Sequence, residues 1–316
     1  MEAAIITTYR CNFKCQMCHI WKSPTRKDEE FKPEILDKLP KLSFCNITGG
    51  EPFMREDLED IIRILQKKSK RIVISTNGYF TDKIIKLAEK HRKLGIRVSL
   101  EGFPRINDEL RGVKNSFERG LKTLLGLKKL GLKDIGCAIT VSDKNAENML
   151  MLYHLVKLMK MEFATAVIHN SYYFHKKNNR IDKELEVIQS FRKLIEEQLR
   201  SNRIKDWYRA FFNYGIINYI QGNKRLYPCQ AGKVMFFLDP WGEVRPCNGM
   251  EKGDMSESMG NLNNATFEHI WNSDKAEEVR KQVKKCTRNC WMIGTASPAI
   301  KKHFFRTTVW VIKHKL

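Results

Sequence analysis

The sequence predicts an α/β protein whose first two thirds fold as successive βα units around a parallel sheet, followed by a smaller unit of different texture. Three observations carry this. Short β-branched or apolar runs alternate with longer stretches in which apolar residues recur at three- and four-residue spacing. Two of the longer stretches stop at a basic last turn and a glycine, Lys93-Leu94-Gly95 and Lys129-Leu130-Gly131. A chain of 316 residues that is 42% hydrophobic can also bury a sizeable core.

Six strands are expected, at residues 3–8, 43–48, 71–75, 96–100, 135–141 and 163–168, with helices at 55–68, 82–94, 116–130 and 146–159 between them. Residues 181 to about 220 read as one or two further helices. The texture then changes at Tyr227-Pro228-Cys229, and the runs 235–238 and 243–245, joined by Asp239-Pro240-Trp241-Gly242, read as a hairpin. The expected organisation is a barrel unit over 1–224, a cysteine-bearing unit over 225–296 and a tail over 297–316. The tail mixes Phe304, Phe305, Val309, Trp310, Val311 and Ile312 with Lys301, Lys302, Arg306, Lys313 and Lys315. It could lie on a membrane surface or pack back onto the barrel.

No apolar run reaches the roughly 18 residues of a spanning helix, and no secretory signal pattern opens the chain, so a cytoplasmic location is expected. In a reducing compartment nine cysteines point to metal or cluster ligation rather than a disulfide framework. A formal charge of +21 favours acidic partners such as a phosphorylated substrate, nucleic acid or an anionic membrane face. Nucleic acid is the weak member of that set, because neither aromatic-interleaved basic repeats nor a helix-turn-helix or RNA-binding signature stands out.

Cys11-Asn12-Phe13-Lys14-Cys15-Gln16-Met17-Cys18 places three thiols within eight residues, directly after the first strand. Thiolates suit iron–sulfur clusters, and three ligands leave a fourth iron free to chelate a small molecule. Zinc, with His19 as fourth ligand, is the alternative. Thr48-Gly49-Gly50-Glu51-Pro52 follows the second strand, Ser75-Thr76-Asn77-Gly78 the third, and Ser99-Leu100-Glu101-Gly102 ends the fourth.

Taken together, the cysteine spacing and these three elements resemble the radical S-adenosylmethionine superfamily. That resemblance implies a partial (β/α)6 TIM-like barrel with a 4Fe–4S cluster on Cys11, Cys15 and Cys18. It implies S-adenosylmethionine bound by Gly49, Gly50 and Glu51 at its amino group, by Asn77, by Ser99 and Glu101 toward the ribose or carboxylate, and by Met17 near the adenine. The implied chemistry is reductive cleavage of that cofactor to a 5′-deoxyadenosyl radical that abstracts a substrate hydrogen, with a flavodoxin or ferredoxin as electron donor.

Cys229, Cys247, Cys286 and Cys290 form a second group, with the hairpin between its first two members. This is similar to the twitch domain, a shortened SPASM domain, and implies a second, auxiliary 4Fe–4S cluster with four protein ligands and an electron-conduit or structural role. Structural zinc is the alternative. Cys45 is expected to face the helix layer. Cys137, in the fifth strand, could face the barrel interior and is the candidate catalytic hydrogen-atom donor if the reaction is an epimerisation.

The expected substrate is a sugar-like or glycan-linked small molecule, phosphorylated in keeping with the charge, which is oxidised or epimerised. The alternative is a maturase that crosslinks or epimerises a ribosomally made peptide. With the cluster motif starting at Cys11, no leader-binding domain is expected before the barrel. Arg10, His19, His169, Asn170, Tyr172, Tyr173 and His175 are the polar groups expected nearest the substrate, two of them directly after the sixth strand.

Overall fold

The computed structural model describes residues 1–248 and 257–315. Residues 249–256, within the expected second unit, and Leu316, at the end of the expected tail, lie outside the described residues.

The chain runs β1 (Glu2–Ile6), β2 (Phe44–Thr48), α1 (Leu58–Lys68), β3 (Ile72–Thr76), α2 (Thr81–Lys90), β4 (Gly95–Ser99), α3 (Pro104–Arg111), α4 (Ser116–Lys129), β5 (Ile135–Val141), α5 (Ala146–Leu158), β6 (Glu162–Val167), α6 (Glu184–Arg200) and α7 (Ile204–Ile220). It continues through β7 (Met235–Leu238), β8 (Glu243–Arg245), β9 (Gly260–Asn261), α8 (Phe267–Trp271), α9 (Asp274–Lys285), α10 (Ile293–Lys302) and α11 (Phe304–His314). The six expected strands are present and parallel. The sheet stays open, in the order β6-β5-β4-β3-β2-β1-β7-β8-β9, which is a partial barrel.

Register explains the core. Ile5, Ile47, Ile74, Ile96 and Ile135 lie side by side across five strands and are buried against the helices. β-Branched side chains suit this pleated, covered face. The opposite face carries smaller or polar residues, among them Ala4 beside Asn46 and Ser99 beside Ala138. That face lines the lumen.

Two features depart from the sequence reading. β7 pairs in parallel with β1, so the second unit extends the barrel sheet instead of standing apart. Its Met235-Phe236-Phe237-Leu238 is apolar on both faces and fully buried, as an interior strand requires. The eight-residue α3, begun by Pro104 and closed by Gly112 at φ +64°, falls in a segment with too few apolar residues to announce a helix.

The tail forms α10 and α11, and α11 packs back on α7. Trp310 meets the Phe211 ring edge-on at 5.2 Å, and Tyr208 and Thr308 share a hydroxyl hydrogen bond of 2.7 Å. Among the described residues no helix is long and apolar enough to cross a membrane.

Candidate functional site

The loop after β1 carries the three cysteines onto the lumen face. Cys11 and Cys18 pack against a small apolar cluster that includes Ala4, Ile6, Tyr9, Tyr173 and Phe237. The C-terminal end of α3 fixes the loop: Lys14 N donates to Arg111 O (3.2 Å) and Gln16 N to Leu110 O (2.8 Å). Gly112 is required there, because a Cβ would come within 2.5 Å of Lys14 O. Burial pushes the thiols of Cys11 and Cys18 up to about 12 and raises that of Cys15. Ligation therefore has to displace protons.

The glycine pair after β2 packs directly on this loop. A Cβ on Gly50 would sit 2.2 Å from Arg10 O, and one on Gly49 would sit 2.7 Å from Thr8 O. Backbone hydrogen bonds from Gly50 N to Thr8 O (2.6 Å) and from Glu51 N to Arg10 O (2.8 Å) hold that approach. Glu51 is fully buried. Its Oε1 accepts from Thr76 Oγ1 (2.8 Å) and Phe53 N (3.2 Å), and its Oε2 from Asn77 N (2.6 Å). All three donors are neutral, and burial pushes the carboxyl above its usual range against those bonds. A buried carboxylate so placed suits a ligand ammonium. Asn77 also reaches the cysteine loop, donating through Nδ2 to Asn12 Oδ1 (2.8 Å). Ser99 is half-buried on the lumen face, and the half-buried Met17 has its carbonyl fixed by Asn179 Nδ2 (3.0 Å).

Arg111 is the site residue that the sequence did not disclose. As the last residue of α3 it looks like an ordinary cation at a helix C-terminus. Instead it is buried, its guanidinium lies 5.0 Å from the Phe13 ring, and Nη1 donates to Glu101 Oε1 (3.1 Å). The other Glu101 oxygen accepts from Thr140 N (2.6 Å). Burial works against the charge of Arg111, yet Cys15, Glu101 and Cys11 hold it above the usual arginine value. Its Nε is buried without a hydrogen-bond partner, so one donor is left for an anionic group in the lumen.

The residues expected nearest the substrate divide. Arg10 is a clasp and faces no substrate space: it grips Glu30 through Nε (2.9 Å) and Nη2 (2.7 Å) and donates to Met54 O (3.1 Å). Asn170 closes its own loop with Asn179 through bonds of 3.1 and 2.8 Å. Tyr172 lies under the Arg245 guanidinium at 5.9 Å. Tyr173 donates its hydroxyl to Gly49 O (2.6 Å). His169 and His175 each bury an Nε2 without a partner, and burial lowers both imidazoles, which favours the neutral ring. His19 Nε2 lies 3.4 Å from Lys176 Nζ.

Cys137 does not face the lumen. It shares a strand face with Ile135, Ile139 and Val141 in the helix-covered core and is fully buried there, so its thiol cannot reach a substrate radical. Cys45 lies in the same core, as expected.

Cys229, Cys247, Cys286 and Cys290 line one cavity together with Arg225 and Arg288. Arg225 Nη2 lies 3.8 Å from Cys286 Sγ and 3.4 Å from Cys286 O. Four thiols around one cavity beside a guanidinium suit an anionic cluster with full protein ligation. Cys247 also packs against the apolar cluster that touches Cys11 and Cys18, so the two cysteine groups share one wall.

Residues 5–156 match the radical SAM superfamily, and residues 229–291 match SPASM, an iron–sulfur cluster-binding domain. The chain is 29% identical over 301 residues to the antilisterial bacteriocin subtilosin biosynthesis protein AlbA of Bacillus subtilis, covering 92% of this chain and 64% of that protein. It is 31% identical over 163 residues to Fe-coproporphyrin III synthase of Methanosarcina barkeri, covering 49% of this chain and 40% of that protein. The chain thus spans less than two thirds of either relative. A solved structure of anSMEcpe with bound AdoMet and the Kp18Cys peptide has the same fold, with a TM-score of 0.67 at 16% identity over 99% of this chain and 98% of that one. The two domains imply a 4Fe–4S cluster and an auxiliary cluster, and the buried carboxylate, the three-thiol loop and the four-cysteine cavity fit them. The chain carries a radical SAM superfamily domain over residues 5–156 and a C-terminal SPASM domain over residues 229–291.

Proposed function

We propose that this enzyme modifies a ribosomally made peptide by radical chemistry, with Cys11, Cys15 and Cys18 holding the S-adenosylmethionine-binding cluster. The observation that carries the cofactor site is Glu51, a fully buried carboxylate with only neutral hydrogen-bond donors, set against the three-thiol loop. When bound, the cluster and S-adenosylmethionine supply a 5′-deoxyadenosyl radical able to abstract a hydrogen from an unactivated carbon.

The chain's own residues position that chemistry. Glu51 would receive the methionine ammonium, with Gly49 and Gly50 letting the backbone approach it. Arg111, oriented by Glu101, would offer its open Nε to the methionine carboxylate. Asn77 and Ser99 would serve the ribose and Met17 the adenine. Cys229, Cys247, Cys286 and Cys290 hold the auxiliary cluster, with Arg225 offsetting thiolate charge, and the shared apolar wall gives an electron path between the two cysteine groups. Reduced flavodoxin or ferredoxin supplies the electron.

A peptide substrate, the alternative reading of the sequence, is favoured over a sugar. AlbA, named for the biosynthesis of a bacteriocin, matches nearly the whole chain, and anSMEcpe shares the fold with a peptide bound. A tetrapyrrole substrate is the second reading, supported by the match of Fe-coproporphyrin III synthase to 49% of the chain. Mass separates an epimer, unchanged save for solvent deuterium, from a crosslink or an oxidised residue, each two hydrogens lighter, and fragmentation separates the last two.

The test is anaerobic reconstitution of the wild type and of a Cys11→Ala/Cys15→Ala/Cys18→Ala variant. About eight irons are expected in the wild type and about four in the variant, with 5′-deoxyadenosine formed by the wild type alone. The wild type is then incubated with short precursor peptides and, separately, with tetrapyrroles that precede iron-coproporphyrin III in its synthesis. A mass loss of two hydrogens or solvent deuterium incorporation in a peptide supports the proposal. Conversion of a tetrapyrrole with unchanged peptides overturns its substrate half, and a wild type that never cleaves the cofactor overturns it entirely.

A further inference from the structure

We propose that α11 docks this enzyme on an anionic lipid surface. The helix has two faces of opposite use. Thr307 (0% exposed), Val311 (4%) and Trp310 turn inward, where Thr307 and Tyr227 share a hydroxyl hydrogen bond of 2.9 Å and Trp310 packs on Phe211. Phe305 (84% exposed), Val309 (51%) and Ile312 (62%) turn outward. At about 100° per residue these three fall within about 60° of one another, on the side opposite Thr307 and Val311. Three large apolar side chains in line on one exposed helix face are not single scattered surface residues.

The charge around the stripe says what covers it. From residue 292 to the end the sequence contains no aspartate or glutamate. Of the cations there, Lys301 pairs with Glu2, Lys302 donates to Gln230 and Lys315 to the Leu199 and Ser201 carbonyls, which leaves Arg306 and Lys313 beside the stripe. Arg306 and Lys313 stand on one flank of the stripe, at about 90° from it, with the Arg306 guanidinium 5.7 Å from the Tyr227 ring. Both are exposed. An apolar stripe bordered by cations suits the headgroup and acyl boundary of an anionic leaflet. A second copy of this chain would bring the same cations to the contact and repel itself. The formal charge of +21 works in the same direction at longer range. Because α11 is anchored on α7, docking needs no refolding of the barrel. The inference stands independently of the substrate.

The test is cosedimentation of the anaerobic holoenzyme with vesicles of phosphatidylcholine alone or of equal parts phosphatidylcholine and phosphatidylglycerol. The wild type is expected to bind the mixed vesicles and not the neutral ones. Phe305→Ser/Val309→Ser/Ile312→Ser should weaken binding by at least about tenfold, and Arg306→Gln/Lys313→Gln by a comparable factor that high salt reproduces in the wild type. The three apolar side chains are exposed, so the circular dichroism and thermal midpoint of the triple variant should match the wild type. The double variant, which gives up the Arg306 contact with Tyr227, should keep the wild-type circular dichroism. Absence of binding to mixed vesicles overturns the proposal, as does a triple variant that binds as the wild type does. A lipid-free dimer abolished by the triple variant would assign the stripe to self-association and equally overturn it.

Discussion

Tyr173 donates its hydroxyl hydrogen to the carbonyl oxygen of Gly49 over 2.6 Å, tying the loop after β6 to the glycine pair that packs on the cysteine loop. The residues lie 124 positions apart, and both sit where the lumen opens. Tyr173→Phe would leave that carbonyl oxygen without its partner in a buried setting, at a cost of about 1–3 kcal/mol. The expected result is S-adenosylmethionine affinity lowered about tenfold at unchanged iron content. Equilibrium dialysis against the reconstituted variant checks this, and wild-type affinity would remove Tyr173 from the account.

Arg111 and Glu101 form a buried ion pair, and each is costly without the other. Arg111→Met should destabilise the fold by about 3–5 kcal/mol, because it leaves a buried carboxylate unpaired. Adding Glu101→Gln should recover part of that loss while cofactor affinity stays low. Urea unfolding of the three proteins reads the coupling, and strictly additive costs would contradict it.

Much of this was legible because the signals are local. Alternation marks the six strands, and the cysteine spacing, Thr48–Pro52 and the Ser99–Glu101 pair stand at strand ends where a barrel gathers its ligands. Three things were hidden for a common reason: they depend on what lies across the fold. Arg10 points to Glu30 instead of the lumen, Arg111 is recruited by Cys15 and Glu101 from neighbouring loops, and β7 joins β1 from more than 230 residues away. Cys137 differs, because its signal was in the sequence. Ile135, Ile139 and Val141 share its parity, whereas the small Gly136 and Ala138 take the other face.

That placement gives Cys137→Ala a clear expectation. The variant should form product per 5′-deoxyadenosine within about twofold of the wild type while losing on the order of 1 kcal/mol of stability from the core. Deuterium transfer from solvent into product, lost only in this variant, would restore the thiol as a hydrogen donor.

The four-cysteine cavity predicts separable iron. Cys229→Ala/Cys286→Ala should lower the iron content from about eight to about four, leave 5′-deoxyadenosine formation in place and abolish peptide product. Product formed at the wild-type rate would reduce the cavity to scaffolding, and a wild type with about four irons and one zinc would rule out the electron path.

Glu162, at the start of β6, concerns stability instead of chemistry. Arg203 Nη2 (2.7 Å), Lys205 Nζ (2.9 Å) and the Arg209 guanidinium converge on its carboxylate. Burial alone would raise the carboxyl, but these cations hold it down at about 2. Because the folded value is depressed, the stabilisation is present in full above the unfolded value of about 4.3 and is lost as pH falls toward 2. At neutral pH Glu162→Gln should cost about 1–2 kcal/mol, because solvent screens the half-exposed Arg203 and Lys205 and Arg209 keeps Asp206 as a partner. The gap between variant and wild type should hold constant from pH 8 to pH 5 and narrow below that. Urea unfolding of the cluster-free chain, followed by tryptophan fluorescence across that range, reads the gap directly. If the gap is still full-sized near pH 2, repacking around the amide, and not the lost charge, sets the cost.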